Sequence, residues 1–314
     1  MKNLKKDKLA GVPLRVVLAK DFALNKYKYL LIFPVLVYFV LFAYRPMYGL
    51  IVAFMDFRPN LGMARSTWVG FRHFEAFFND PFFFRLIRNT LSISVLTIVF
   101  GFPAPILLAL MLNEIHQMTF KRTVQTITYM PYFISLVVVS SLIRTYTASD
   151  GIFSQIAMAF GGNATNYLMN TRYFYPIYVI SEIWQGIGWN SIIYLAALSG
   201  IDQEQYEAAR IDGAGRIRRI FAVTLPNLLP TIMVLFILRM GGILNVGFEK
   251  IILLYNESIY EVADVISTYV YRRGILNANF SFATAVGLFN SLVNVFFLII
   301  ANALSKKYTE SGLY

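Results

Sequence analysis

The chain has 314 residues, of which 57% are hydrophobic and only 14% charged, with a mean hydropathy of +0.58 and a formal net charge of +11. A soluble domain carries roughly a quarter charged residues, so the depletion places this chain in a membrane, and its positive excess reads as loop topology rather than nucleic-acid binding. The lack of cysteine excludes disulfides, thiol catalysis and Cys-ligated zinc, and the two histidines, His73 and His116 in predicted loops, argue against a metal centre.

The basic start, MKNLKKDKLAGVPLRVVLAKDF, leads into a full-length apolar run with no cleavage site, so residues 1–28 read as an uncleaved cytoplasmic segment. Windows of about 20 apolar residues predict six spans, at 29–54, 85–111, 125–147, 173–198, 226–247 and 281–304. Pro34 and Pro46 fall in the first and Pro103 and Pro105 in the second, which neighbouring helices tolerate. Six crossings put both termini on one side. That side collects Lys2, Lys5, Lys6, Lys8, Arg15, Lys20, Lys26, Lys28, Lys121, Arg122, Arg210, Arg216, Arg218, Arg219, Lys306 and Lys307. The opposite loops, at 55–84, 148–172 and 248–280, hold fewer than half as many. The positive-inside rule therefore makes the termini and the 199–225 loop cytoplasmic. The expected fold is all-α and integral to the membrane: a basic segment at 1–28, a six-helix domain at 29–304, and a cytoplasmic tail at 305–314.

Near the outer ends of the predicted spans, Arg85, Arg88 and Arg144 read as interfacial anchors. On the fourth span, Tyr175, Tyr178, Glu182, Gln185 and Trp189 recur at steps of three or four and share one helix face, together with Gly186. Such a face, part aromatic and part amide and carboxylate, suits a ligand with both apolar and hydroxyl surfaces; packing with a structural ion pair is the equal alternative. An intramembrane carboxylate costs about 3 kcal/mol or more, so Glu182 needs a partner or a cavity. Arg239, at matching depth on the fifth span, is the predicted counterpart, approaching Glu182 or bracketing the same cavity.

Between those spans, Asp202 and Gln205 form a predicted capping box opening a helix, Asp202 and Glu204 favour its dipole, and Gly213 ends it. Pro226 is placed in the first turn of the fifth span. On the last span, Ala283, Gly287, Asn290 and Asn294 make a small, polar face of the kind that packs helices closely.

The spacing Glu207-Ala208-Ala209, three residues, Gly213, nine residues, Val223, one residue, Leu225-Pro226 resembles the EAA signature of ABC importer permeases, with Val223 where isoleucine is usual. PMYGLIVAFMDF, GFPAPILLALMLNEI, FKRTVQTITYMPYFIS, NVGFEKIILLYN, EVADVISTYVYRRG and FATAVGLFNS are similar to the carbohydrate-uptake subfamily, so the likeness covers nearly the whole chain. It implies a type I importer permease fold and a transport subunit that is not itself an enzyme. The implied importer passes an oligosaccharide, polysaccharide-derived or acidic among the options, across a bacterial cytoplasmic membrane. Its implied partners are a related second permease, two ATP-binding cassette subunits, an extracytoplasmic solute-binding protein and the surrounding lipid. The family's coupling helix corresponds to the segment near 203–213: Glu207 would meet a basic group of an ATPase subunit, Ala208 and Ala209 would allow close approach, and Gly213 would permit the turn. Residues 248–280 resemble the loop that reaches toward the binding protein and substrate path in maltose-type permeases. The chain has no Walker A sequence and no Gly-Lys dipeptide, so ATP and Mg would be bound by partner subunits.

Two other readings compete. An ion-gradient-driven secondary sugar transporter predicts inverted repeats, and none is evident. A membrane enzyme predicts clustered carboxylates, and the one cluster, Asp202, Glu204, Glu207 and Asp212, already belongs to the loop helix.

Overall fold

The structure is a computed structural model that describes residues 14–309; Lys2, Lys5, Lys6, Lys8 and the tail beyond 309 lie outside the described residues. It is built almost wholly of helices, with one short antiparallel strand pair, Met55–Asp56 against Thr67–Trp68. Nine helical runs organise the description. They are α1 (Asp21–Phe54), α2 (Phe83–Asn113), α3 (Met118–Phe133), α4 (Leu136–Thr147), α5 (Thr171–Ser199), α6 (Gln203–Ile211), α7 (Arg216–Met240), α8 (Phe248–Leu254) and α9 (Phe280–Thr309).

Among the described residues α1, α2, α7 and α9 are long and apolar enough to cross a membrane, and the pair Met118–Phe133 with Leu136–Ala159 is a fifth candidate, bent by 97°. The bend breaks the straight helix expected at 125–147 into two. Pro131 tightens the end of α3 into a 3-10 turn, Ile134 and Ser135 are extended, and the Ser135 side chain accepts from the Val138 amide at 3.4 Å to start α4 afresh. At 29 residues, α5 is long enough to cross, but Glu182, Gln185 and Asn190 make it less apolar than the others.

Three prolines within long helices are accommodated in one way. A proline lacks an N–H and its ring crowds the carbonyl four residues back. Just before Pro46, Pro103 and Pro226, the amides of Arg45, Phe102 and Leu225 bond five residues back, to Val40, Thr97 and Ile220, and so widen the helix into a π-turn. Pro226 is therefore inside α7, not in its first turn. The widened turn at Ile220–Thr224 lets the helix run back to Arg216, ten residues before the expected start. At its other end α7 stops at Met240, short of the expected 247.

The core forms where α2, α5, α7 and α9 meet. Phe174, Tyr178, Ile251 and Leu254 are buried at one end, Tyr194, Leu198, Val223 and Leu228 at the other. Gly188 sets the closest approach: a Cβ there would fall inside the Thr128 carbonyl of α3. The outer loop expected at 248–280 is packed into this core, with Ile259, Ala263 and Val265 fully enclosed. By contrast, α1 leaves its apolar surface outside the chain; Leu30 is 68% and Leu31 76% exposed. Such a stripe belongs against lipid or another subunit.

Candidate functional site

Two features stand out: an elbow beside the start of α7, and a polar line along α5. At the elbow, Asp202 opens α6 by accepting from the Glu204 amide at 3.0 Å. The capping box is only half formed, because the Gln205 side chain turns away to accept from Asn227 at 2.8 Å. Gly213, at φ +75°, closes the helix. Its amide bonds the Arg210 carbonyl at 3.0 Å and the Ala214 amide bonds that of Ala209 at 2.9 Å, the paired closure that uses a left-handed residue just past the helix end. Tyr206 is hydrogen-bonded to Thr224 at 3.1 Å, and Tyr206 and Ala209 pack on buried Val223 and Leu228. The elbow is thus fixed to the base of α7.

The signature residues divide by direction. Ala209 and Val223 face the body, Leu225 is half-buried, and Glu207, Ala208, Gly213 and Pro226 are exposed. Among the described residues the Glu207 carboxylate makes no ion pair or hydrogen bond. The same stretch of chain also exposes apolar groups: Ile211, one turn on from Glu207, at 87%, and Ile217 at 73% and Phe221 at 67% at the start of α7.

On α5 the predicted face splits. Tyr175 donates to Asn89 at 3.2 Å, while Tyr178, 2% exposed, accepts from the Gly247 amide at 3.2 Å; neither lines a cavity. Gln185 donates to the Ile134 carbonyl at 3.1 Å, and Trp189 stacks on Tyr132 with centroids 4.7 Å apart. These contacts seat the bend between α3 and α4 on α5. Glu182 pairs with Lys250 at 3.0 Å. Arg239, the partner expected for it, has no ion pair among the described residues, though the two do line one cavity.

That cavity, about 400 Å³, runs between α2, α5 and α7 and includes Gly186, Asn190, Tyr194 and Arg239. A second, about 650 Å³, lies between α5, the α3–α4 bend and residues 245–250. The two share Glu182, Gly186 and Asn190, spaced four apart on one edge of α5. Both volumes suit a small ligand. Asn190 was legible as another polar residue at that spacing. Lys250 was not, since it sits on a segment read as a loop, and neither was Asn245, which was read as the end of the fifth span, whereas the helix stops at Met240.

The small polar face of α9 packs against the chain, as its composition suggested. Asn290 and Asn294 donate to the Asn245 side chain at 3.0 and 3.2 Å, and Asn294 accepts from the Leu244 amide at 3.0 Å. The arginines read as interfacial anchors instead tie down residues 248–280. Arg88 donates to the Glu261 carbonyl at 2.7 Å and Arg144 to that of Leu253 at 2.7 Å. Fully buried Asp264 receives Arg272 at 2.5 Å, Arg85 at 3.5 Å and Thr268 at 2.7 Å. Nearby, burial pushes the Tyr269 phenol up, and its hydrogen bond to Asp80 adds to the shift.

A helical membrane body with polar cavities stacked along one helix, and an elbow displayed at one end, defines a permease. Residues 101–310 match the binding-protein-dependent transport system inner membrane component family. The polygalacturonan/rhamnogalacturonan transport system permease protein YteP of Bacillus subtilis (strain 168) is 45% identical over 291 residues, covering 92% of this chain and 91% of that protein. Two solved structures are similar with a TM-score of 0.86. One, 43% identical, is a bacterial ABC transporter involved in the import of the acidic polysaccharide alginate, covering 93% of this chain and 99% of that one. The other, 42% identical, is a bacterial alginate ABC transporter in complex with an alginate pentasaccharide-bound periplasmic protein, covering 94% and 99%.

The chain belongs to the binding-protein-dependent transport family, with the type I ABC permease fold. It is the membrane permease component of such an importer.

Proposed function

We propose that this permease crosses the cytoplasmic membrane six times with both termini inside, and passes an acidic oligosaccharide inward. Its domains are then those read from sequence, with the 199–225 loop cytoplasmic. Charge asymmetry between the loops supports the orientation. The naming of uronate-rich polymers for the relatives supports the substrate, as does Arg239 in the smaller cavity. ATP and Mg are bound by two separate cassette subunits, and α6 with Gly213 receives their push. A related second permease covers the apolar stripe of α1, and an extracytoplasmic binding protein delivers the sugar.

The observation that carries the reading is the elbow: an exposed Glu207 with no ion pair among the described residues, one turn from exposed Ile211, on a helix locked to α7. A carboxylate so placed is ready for a basic group on another chain.

Because the chain has no cysteine, Glu207→Cys gives a single cross-linking site. In the assembled importer it is expected to cross-link to the nucleotide-binding subunit, and uptake by the wild-type importer is expected to be vanadate-sensitive and indifferent to proton ionophores. Cross-linking to no such subunit, with ionophore-sensitive uptake, would establish the secondary-transporter alternative.

A further inference from the structure

Charged groups around the two cavities are few. Glu182 and Arg239 are the charged side chains lining the smaller one; Lys250 and Glu249 join Glu182 around the larger. Their exposures differ in an informative way. Glu182 keeps 43% of its side chain exposed, whereas Lys250 is 2% exposed. Lys250 reaches Glu182 at 3.0 Å from behind, its Nζ also donating to the Tyr178 carbonyl at 3.4 Å and lying 5.0 Å from the centre of the Tyr178 ring. An ammonium so enclosed needs a counter-ion beside it, and Glu182 is the one it has. Glu249 is exposed, and Arg239 has no ion pair among the described residues.

The charge of Glu182 is therefore cancelled by a group that a ligand in the smaller cavity scarcely meets. Arg239 is left there as the uncompensated charge. We propose that Lys250 is a specificity-determining residue: by neutralising Glu182 from behind the cavity wall, it makes the Glu182–Arg239 cavity accept an anion, so that a sugar carboxylate binds at Arg239. Without Lys250, Glu182 would compensate Arg239 and repel an incoming carboxylate. The inference rests on the acidic-oligosaccharide reading above and names the residues that enforce it. Residues 245–250 then have two roles, since they also wall the larger cavity.

The test uses the assembled importer in lipid nanodiscs and two probes of one size, trigalacturonate and its fully methyl-esterified form. Wild type is expected to bind the acid at least about tenfold more tightly, equivalent to about 1.4 kcal/mol. Lys250→Met is expected to lose most of that preference through the acid probe alone, with the ester bound as before. Glu182→Gln, which leaves both cations unopposed, keeps the preference or strengthens it. The double variant Lys250→Met/Glu182→Gln, with neither charge of the pair remaining, recovers it.

If Lys250→Met weakens both probes equally, Lys250 only supports the fold and the proposal is overturned. If the preference survives Lys250→Met, the proposal is overturned while the acidic reading stands. If wild type does not distinguish the probes, the acidic reading fails and takes this one with it. Should Lys250→Met not assemble, Lys250→Gln, which keeps a donor to Glu182 without its charge, decides by the same comparison: an unchanged preference for the acid refutes the assignment.

Discussion

Gly213 offers the sharpest test of the elbow. Its φ of +75° lies in the left-handed region, which costs an ordinary L residue about 1–2 kcal/mol. A Cβ built at this position would meet no atom within 4 Å, so the whole penalty is conformational. It lowers the ratio of correctly closed to open elbows about 5–30-fold. Asparagine tolerates this region better than alanine, and a β-branched residue tolerates it least. Coupled ATPase activity and uptake, measured in proteoliposomes and normalised to assembled importer, should rank Gly213 above Gly213→Asn, then Gly213→Ala, then Gly213→Val. Alanine should fall by up to about that factor, while thermal stability of the purified chain changes little, because the site is exposed. Wild-type coupling in Gly213→Val would refute the reasoning. Equal damage from asparagine and valine would show that the missing side chain matters rather than the turn.

Three further perturbations separate contact from packing. Glu207→Ala should abolish uptake without lowering the melting temperature, since its exposed carboxylate makes no hydrogen bond or ion pair among the described residues; parallel losses in both would contradict that. Gly188→Ala drives a methyl into the Thr128 backbone, and overpacking of this kind costs about 1–3 kcal/mol or more, so the purified chain should melt lower; an unchanged melting temperature would show that α3 and α5 can separate freely. Asp264→Asn leaves Arg85 and Arg272 facing a neutral amide. Breaking a fully buried pair costs about 3–5 kcal/mol, and the 29% and 25% exposure of these guanidiniums reduces that to about 2 kcal/mol. Limited proteolysis should then cut within residues 248–280 sooner than in wild type, and equal cutting rates would remove Asp264 as the anchor.

The helices, their apolarity and the elbow were legible in the amino-acid order, because each depends on neighbours within one or two turns. Asp202 caps through an amide two residues on, and Gly213 is glycine because of its own φ. Periodicity on α5 correctly set Tyr175, Tyr178, Glu182, Gln185 and Trp189 on one face. It could not say which of them would be spent on packing, since a face reports direction and not what lies opposite.

Tertiary structure decided the rest. Glu182 is joined to Lys250, 68 residues away in sequence, rather than to Arg239 at matching depth. That choice depends on residues 245–250 folding back against α5, held there by Asn245 bonded to Asn290 and Asn294. The helix expected to run straight through 125–147 is bent by 97° at Ile134–Ser135, while Pro226 was absorbed within a continuous helix. Local sequence determined where chain could be helical and where it must turn; long-range packing alone determined which charges meet, because ion pairs here follow the burial of segments and not their spacing.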